Sequence, residues 1–285
     1  MPKRRFCAAL QRYAPSILML AVFETVGVAL WLAKGNLFYL GNFSYIGASI
    51  ALGLFLFERK ARWARRVVQF LVGAYMLVFL GLYRRENMQI EGFWYYLFLG
   101  VFEAATIHYA VAKIFGPLLF GRGWCGYACW TAMVLDLLPY RRPQGPNKPR
   151  LGRLRYAMFA LSLLFVCALF LLLDPAALEP AMFACFLAGN LVYYATGIGL
   201  AIAFKDNRAF CKYLCPVTVF LKPMSYYSLT RVTVDPARCV SCGKCQKACP
   251  MGVDMLDSAR SRKNGTECIL CLECAKACPK GALKL

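Results

Sequence analysis

Twelve of the fifteen cysteines in this 285-residue chain fall into repeated patterns whose spacing suits iron–sulfur chemistry. Cys239, Cys242, Cys245 and Cys249, closed by Pro250, recur as Cys268, Cys271, Cys274 and Cys278, closed by Pro279. Three thiolates two residues apart can wrap one face of a cubane and leave its fourth iron to a more distant ligand. Proline has no N–H and fixes the chain direction after the last thiol. Zinc sites also use C-x2-C pairs, but they do not demand a four-cysteine run with proline, twice. Ligand thiols must stay reduced, which argues against disulfides.

The doubled run is that of bacterial two-cluster ferredoxins, in which the last cysteine of each run serves the other cluster. This likeness assigns Cys239, Cys242, Cys245 and Cys278 to one [4Fe–4S] cluster, and Cys268, Cys271, Cys274 and Cys249 to a second. The eighteen residues between Cys249 and Cys268 exceed what a minimal connection of this kind needs.

A second set of cysteines repeats differently. Trp124-Cys125-Gly126-Tyr127-Ala128-Cys129 and Phe210-Cys211-Lys212-Tyr213-Leu214-Cys215 both read aromatic-Cys-x-Tyr-x-Cys, each shortly after a basic residue, Arg122 or Arg208. Cysteines four apart share a face if the segment is helical. Two such faces could bring four thiolates together as a third [4Fe–4S] site. A thiol–disulfide pair, a docking surface or plain packing are the alternatives. Cys7, Cys167 and Cys185 have no such partners, and the last two read as small buried apolar residues.

The elements that must position these cysteines are apolar. The chain is 60% hydrophobic and only 17% charged, with mean hydropathy +0.51. Six spans are expected, near 15–34, 42–57, 67–83, 92–115, 156–173 and 182–204, each long enough or nearly so for a bilayer core. The net charge of +20 would suit nucleic acid, but the basic residues collect between apolar runs, so no nucleic-acid partner is expected. Lys3, Arg4, Arg5 and Arg12 precede the first span. Arg59, Lys60, Arg62, Arg65 and Arg66 follow the second, and Arg141, Arg142, Lys148, Arg150, Arg153 and Arg155 follow the fourth. In the alternate gaps Arg84 and Arg85 meet Glu86 and Glu91, and 174–181 carries Asp174 and Glu179 without a base. The positive-inside rule then puts both termini, and the C-terminal cysteine runs, in the cytoplasm of a bacterium or archaeon. The first span reads as uncleaved, since no small-x-small site ends it.

Ionisable groups at membrane depth are costly and often functional. Glu24 falls within the first expected span, and Glu103 within the fourth beside Thr106 and His108. Glu103 and His108 could serve a quinone head group, or the carboxyls could simply be protonated and hydrogen-bonded between helices. His108 is the sole histidine, so a bis-histidine haem cannot form, and haem is not expected. Gly121-Arg122-Gly123 reads as a tight turn. The proline-rich stretch 141–156 reads as a basic loop that faces lipid headgroups or docks an acidic carrier.

Spans that end in C-x3-C, twice, before a C-terminal two-cluster ferredoxin resemble the NapH/MauN/NosR-type membrane polyferredoxins. The resemblance covers roughly 92–285. It implies electron transfer between the quinone pool or a cytoplasmic carrier and a partner redox protein, and some members serve maturation of a metalloenzyme. The second pair keeps a following proline, Pro216, whereas the first has Trp130. The three N-terminal spans look like an addition, and a large periplasmic flavin-binding domain like that of the nitrous oxide relative is not expected. The expected architecture is a mainly α polytopic membrane bundle with a small α+β ferredoxin domain. It divides into a segment at 1–91, a membrane core at 92–230 and the ferredoxin domain at 231–285. The expected function is one-electron transfer, with an accessory or maturation factor and a redox sensor as alternatives, and a stand-alone enzyme is not implied.

Overall fold

The computed structural model describes the backbone of residues 2–59, 61, 63–145, 147–258 and 265–285, and their side chains except at 2–12, 104, 257 and 258. Lys60, Arg62 and Pro146 lie outside the described residues, as do the side chains of Lys3, Arg4, Arg5, Cys7 and Arg12. The chain forms two compact units, Met1–Ala74 and Tyr75–Leu285.

The first unit is a helical hairpin with a third helix. Helix α1 (Pro2–Lys34) packs along α2 (Phe38–Glu58), and α2 meets α3 (Ala64–Ala74). Small residues allow the approach, as expected where helices pack in lipid. A Cβ on Gly47 would lie 2.5 Å from the Phe23 side chain, and one on Gly53 would lie 1.9 Å from Val68. Glu24 is not isolated: its carboxylate accepts a hydrogen bond of 2.7 Å from the Ser44 hydroxyl.

Five helices are long and apolar enough to cross a bilayer: Tyr13–Lys34, Phe38–Glu58, Ala64–Tyr83, Leu151–Leu172 and Pro175–Phe204. The fourth expected span differs. In place of one helix over 92–115, the structure has α4 (Ile90–Phe98), an interruption, and a run made of α5 (Ala104–Tyr109), a π-helical turn (Ala110–Phe115) and α6 (Gly116–Phe120). Gly100 takes φ +67°, and the chain is extended at Glu103. The Thr106 hydroxyl donates to the carbonyls of Val101 at 2.9 Å and Glu103 at 2.6 Å, which offsets the ladder bonds lost there. Hydropathy registers apolar content and is blind to such a break.

In the second unit, α9 (Leu154–Leu172) and α10 (Pro175–Phe204) form a hairpin around the broken segment. Leu178, Met182, Phe186, Asn190, Tyr193, Gly197 and Ala201 are the buried positions of α10, spaced three or four apart along one face. That face receives α8 (Trp130–Leu135): Trp130 Nε1 donates to Asn190 Oδ1 at 2.9 Å, and Leu135 fills the space beside Gly197. Trp94 of α4 donates to the Ser162 hydroxyl of α9 at 3.1 Å. After α12 (Thr218–Tyr226), Leu229 and Thr230 pair with the carbonyls of Leu118 and Leu119, which tethers the C-terminal module to α6. That module closes with a two-residue antiparallel pair, Thr233 opposite Lys284 and Val234 opposite Leu283.

Candidate iron–sulfur site

The two C-terminal cysteine runs adopt one backbone twice. Ser241 and Gly243 flank Cys242 with φ of 51° and 69°, and Leu270 and Leu272 flank Cys271 with 51° and 59°. Left-handed residues on both sides of the middle cysteine give the two runs the same turn, although leucine enters that region only under constraint. Gly252 (φ +61°) and Gly281 (φ +58°) repeat the same turn after each closing proline. There the Val253 N–H donates to Cys249 Sγ at 3.4 Å, and the Ala282 N–H to Cys278 Sγ at 3.3 Å. The latter bond is the main reason the Cys278 thiol lies below its ordinary range.

Cys239, Cys242, Cys245 and Cys278 line one cavity. Cys249, Cys268, Cys271 and Cys274 form a second group within electrostatic reach of one another. Burial, with Cys271 and Cys249 nearby, pushes the Cys268 thiol up to about 12. Among the described residues all cysteines are free thiols.

The C-x3-C segments also repeat in detail. Helices α7 (Gly123–Tyr127) and α11 (Ala209–Tyr213) are single turns that carry the first cysteine of each pair. The second cysteine lies beyond the helix end, where the N–H groups of Ala128 and Cys129 share the Trp124 carbonyl, and those of Leu214 and Cys215 share that of Phe210. The first cysteine of each pair is buried and the second half-buried. The four come together: Cys215 is acted on by Cys211, Cys125 and Cys129, and Cys211 by Cys129 and Cys125. Burial is the largest influence and pushes the Cys211 thiol up to about 12, against the pull of Arg208.

The bases before each pair have roles that their sequence position did not convey. Arg122 and Arg208 are fully buried, and they cross over. Arg122 Nη2 donates to the Cys211 carbonyl at 3.2 Å, while Arg208 Nη1 donates to the Cys125 carbonyl at 2.9 Å. Each arginine also pairs with a carboxylate, Glu267 or Asp136. Their Nε atoms are both buried without a partner among the described residues. The tight turn expected at Gly121 is present, with φ +53°.

Glu267, next to Cys268, receives Arg122, Arg155 at 3.2 Å and Lys222 at 2.6 Å. Burial alone would raise its carboxyl, but these three cations hold it down to about 2. The loop between Cys268 and Cys271 therefore lies on the loop between Cys125 and Cys129. Tyr127 donates to the Leu270 carbonyl at 2.9 Å, and a Cβ on Gly126 would stand 2.5 Å from the Ile269 carbonyl oxygen. The basic loop meets the module at another point, just after the first cysteine run: Asn147 donates to the carbonyls of Met251 and Gly252, at 2.9 and 3.1 Å. Arg141 and Arg142 remain exposed.

Glu103 precedes α5 and is exposed, whereas the His108 ring sits against Trp124 with centroids 4.9 Å apart.

Among the described residues no three Cys, His, Asp or Glu side chains converge on an ion-sized point. A cubane is held otherwise, since its thiolates sit on different irons around a volume. Grouped thiols, spare guanidinium N–H donors and buried cations fit a thiolate-ligated anionic cluster.

The fold and these cysteine groups define a multi-pass membrane iron–sulfur protein. A 4Fe-4S dicluster domain matches residues 231–279, and a 4Fe-4S binding domain matches twice, at 107–146 and 191–231. The chain is 27% identical over 226 residues to the methylamine utilization ferredoxin-type protein MauN of Methylobacillus flagellatus, covering 68% of this chain and 77% of the relative. It is 29% identical over 148 residues to MauN of Paracoccus denitrificans, covering 48% and 51%. An uncharacterized protein of Methanocaldococcus jannaschii is 26% identical over 198 residues, covering 70% and 78%. No solved structure matches the chain. The chain is thus similar to polyferredoxins of the MauN/NapH type, and its matched domains are those of an iron–sulfur electron-transfer protein that carries [4Fe–4S] clusters.

Proposed function

We propose that this chain passes single electrons between its C-terminal dicluster module and a third [4Fe–4S] centre held by Cys125, Cys129, Cys211 and Cys215. Beyond that centre, the quinone pool or a partner redox protein in the membrane completes the route, with a soluble carrier at the other end. Each [4Fe–4S] group, when bound, takes up or gives up one electron. The rest of the work belongs to the chain. Cys239, Cys242, Cys245 and Cys278 hold the outer group, and Cys249, Cys268, Cys271 and Cys274 the inner one. Arg122 and Arg208 clasp the two C-x3-C segments to each other, and Glu267 fixes the inner ligand loop upon them. In this reading 231–285 is the dicluster module, 92–230 the membrane core and 1–91 a further membrane segment. The basic gaps put the module and both termini on the cytoplasmic side of a bacterial or archaeal inner membrane.

The observation that carries this reading is the seating of Ile269 and Leu270 on Gly126 and Tyr127. It places two ligand loops in direct contact, so electrons need cross no solvent gap. The test is electron paramagnetic resonance of the reduced, anaerobically purified protein. Three four-iron signals are expected, with magnetic interaction between the inner and membrane centres. In Gly126→Ala the added methyl must push the Ile269 carbonyl away. Iron content should hold, while the interaction weakens and electron exchange slows at least tenfold. Three non-interacting signals in the parent protein would refute the relay.

A further inference from the structure

Lys113 lies in the π-helical turn Ala110–Phe115, the only charged residue among apolar neighbours. It is 5% exposed, and its ammonium stands over the Trp124 ring, 4.3 Å from the centroid. Its charge acts on Cys129, Cys125 and Cys215. The other buried bases of this region have carboxylates: Arg122 has Glu267, Arg208 has Asp136 and Lys212 has Asp206. Among the described residues none pairs with Lys113. A buried cation without an anion is costly, and the ring face returns only part of that cost. With a cluster bound, the four cysteine thiolates would supply the missing negative charge. Around the outer ferredoxin group the cations differ, since Arg238, Lys244, Lys247 and Lys280 are exposed, where water and salt weaken their effect.

We propose that Lys113 sets the reduction potential of the membrane centre, lifting it above the two ferredoxin centres so that electrons run from the dicluster module into the membrane core. The inference rests on the tetrad reading above. Arg208 and Lys212 each have a carboxylate, and Arg122 shares Glu267 with Arg155 and Lys222, so among the described residues Lys113 is the buried base with no carboxylate partner, and its charge favours the more negative, reduced state. The step balances simply: one electron leaves a ferredoxin centre, which is oxidised by one unit, and enters the membrane centre, which is reduced by one. No bond forms or breaks and no proton is required. The π-helical turn gives the placement its structural reason. Such a turn shifts a side chain around the helix relative to regular α geometry, and it recurs at functional sites.

The test is a redox titration followed by electron paramagnetic resonance, on the whole protein and on Lys113→Met and Lys113→Arg, with iron counted in each. The membrane signal is identified by its loss when Cys125, Cys129, Cys211 and Cys215 become serine. In the parent protein it should be the first of the three to be reduced as the potential is lowered. In Lys113→Met its reduced-to-oxidised ratio at a fixed potential should fall at least tenfold, equivalent to about 59 mV for a one-electron couple. The ferredoxin signals should not move, and Lys113→Arg should stay close to the parent. An unchanged membrane potential in Lys113→Met, a shift common to all three centres, or a membrane centre reduced last in the parent would each overturn the proposal. If Lys113→Met loses iron, the parent order of reduction and the Lys113→Arg titration still decide. About eight irons in the parent would instead remove the tetrad centre itself.

Discussion

Changing Cys125, Cys129, Cys211 and Cys215 together to serine should lower iron from about twelve to about eight per chain, with acid-labile sulfide falling in step. The reason is geometric as well as chemical. Two one-turn helices each carry the first cysteine of a pair and the chain just beyond each helix carries the second, in the same arrangement twice, and each of the four acts electrostatically on the others. Serine is nearly the same size but supplies no thiolate at ordinary pH, so the packing survives while ligation does not. Cys215→Ser alone should already remove most of that third portion of iron, because a cubane with three protein ligands is labile. About eight irons in both the parent and the variant would leave the pairs as docking or thiol-exchange sites. An accessory role in maturing a partner enzyme would then replace the relay.

Glu267→Gln should detach the dicluster module from the membrane core while leaving its own clusters in place. One carboxylate receives Arg122, Arg155 and Lys222, and Arg122 is fully buried, so neutralising it strands a charge. Breaking a buried pair costs about 3–5 kcal/mol, and the 23% exposure of the Glu267 side chain discounts this to about 2 kcal/mol. Hydrogen exchange at 268–272 should rise and the magnetic interaction between inner and membrane centres should fade. Unchanged exchange would show that Glu267 does not hold the contact. The pH dependence follows from the depressed carboxyl. A group held down to about 2 from an ordinary 4.5 contributes fully above 4.5 and loses its contribution only as pH falls toward 2. Docking should therefore be flat across neutral pH and sensitive to Gln substitution.

Much of the site was legible before any coordinates. Cysteine spacing is local, and the handedness and hydrogen bonding of each run follow from a few residues, so both repeats could be read directly. The C-x3-C duplication was legible for the same reason. Arg122 and Arg208 were visible only as bases at the ends of spans, because what they do depends on carbonyls 83 and 89 residues away. Lys113 gave one signal that went unread, a single charge inside an apolar run. Glu267 gave none, beyond an interval between cysteine runs longer than a ferredoxin needs.

Chemistry and medium are already written in the order of the residues. Thiol ligands at fixed short spacings select iron–sulfur clusters, and long apolar segments cannot stay in water. Both are properties of neighbouring residues, which the order of the chain specifies. Packing of distant segments is what makes the fourth apolar segment break at Gly100, the two arginines cross between repeats, and Ile269 and Leu270 sit on Gly126 and Tyr127. A break in a helix, a buried ion pair and a backbone contact between distant loops depend on which desolvated groups find partners. That balance is struck only when the whole unit is packed.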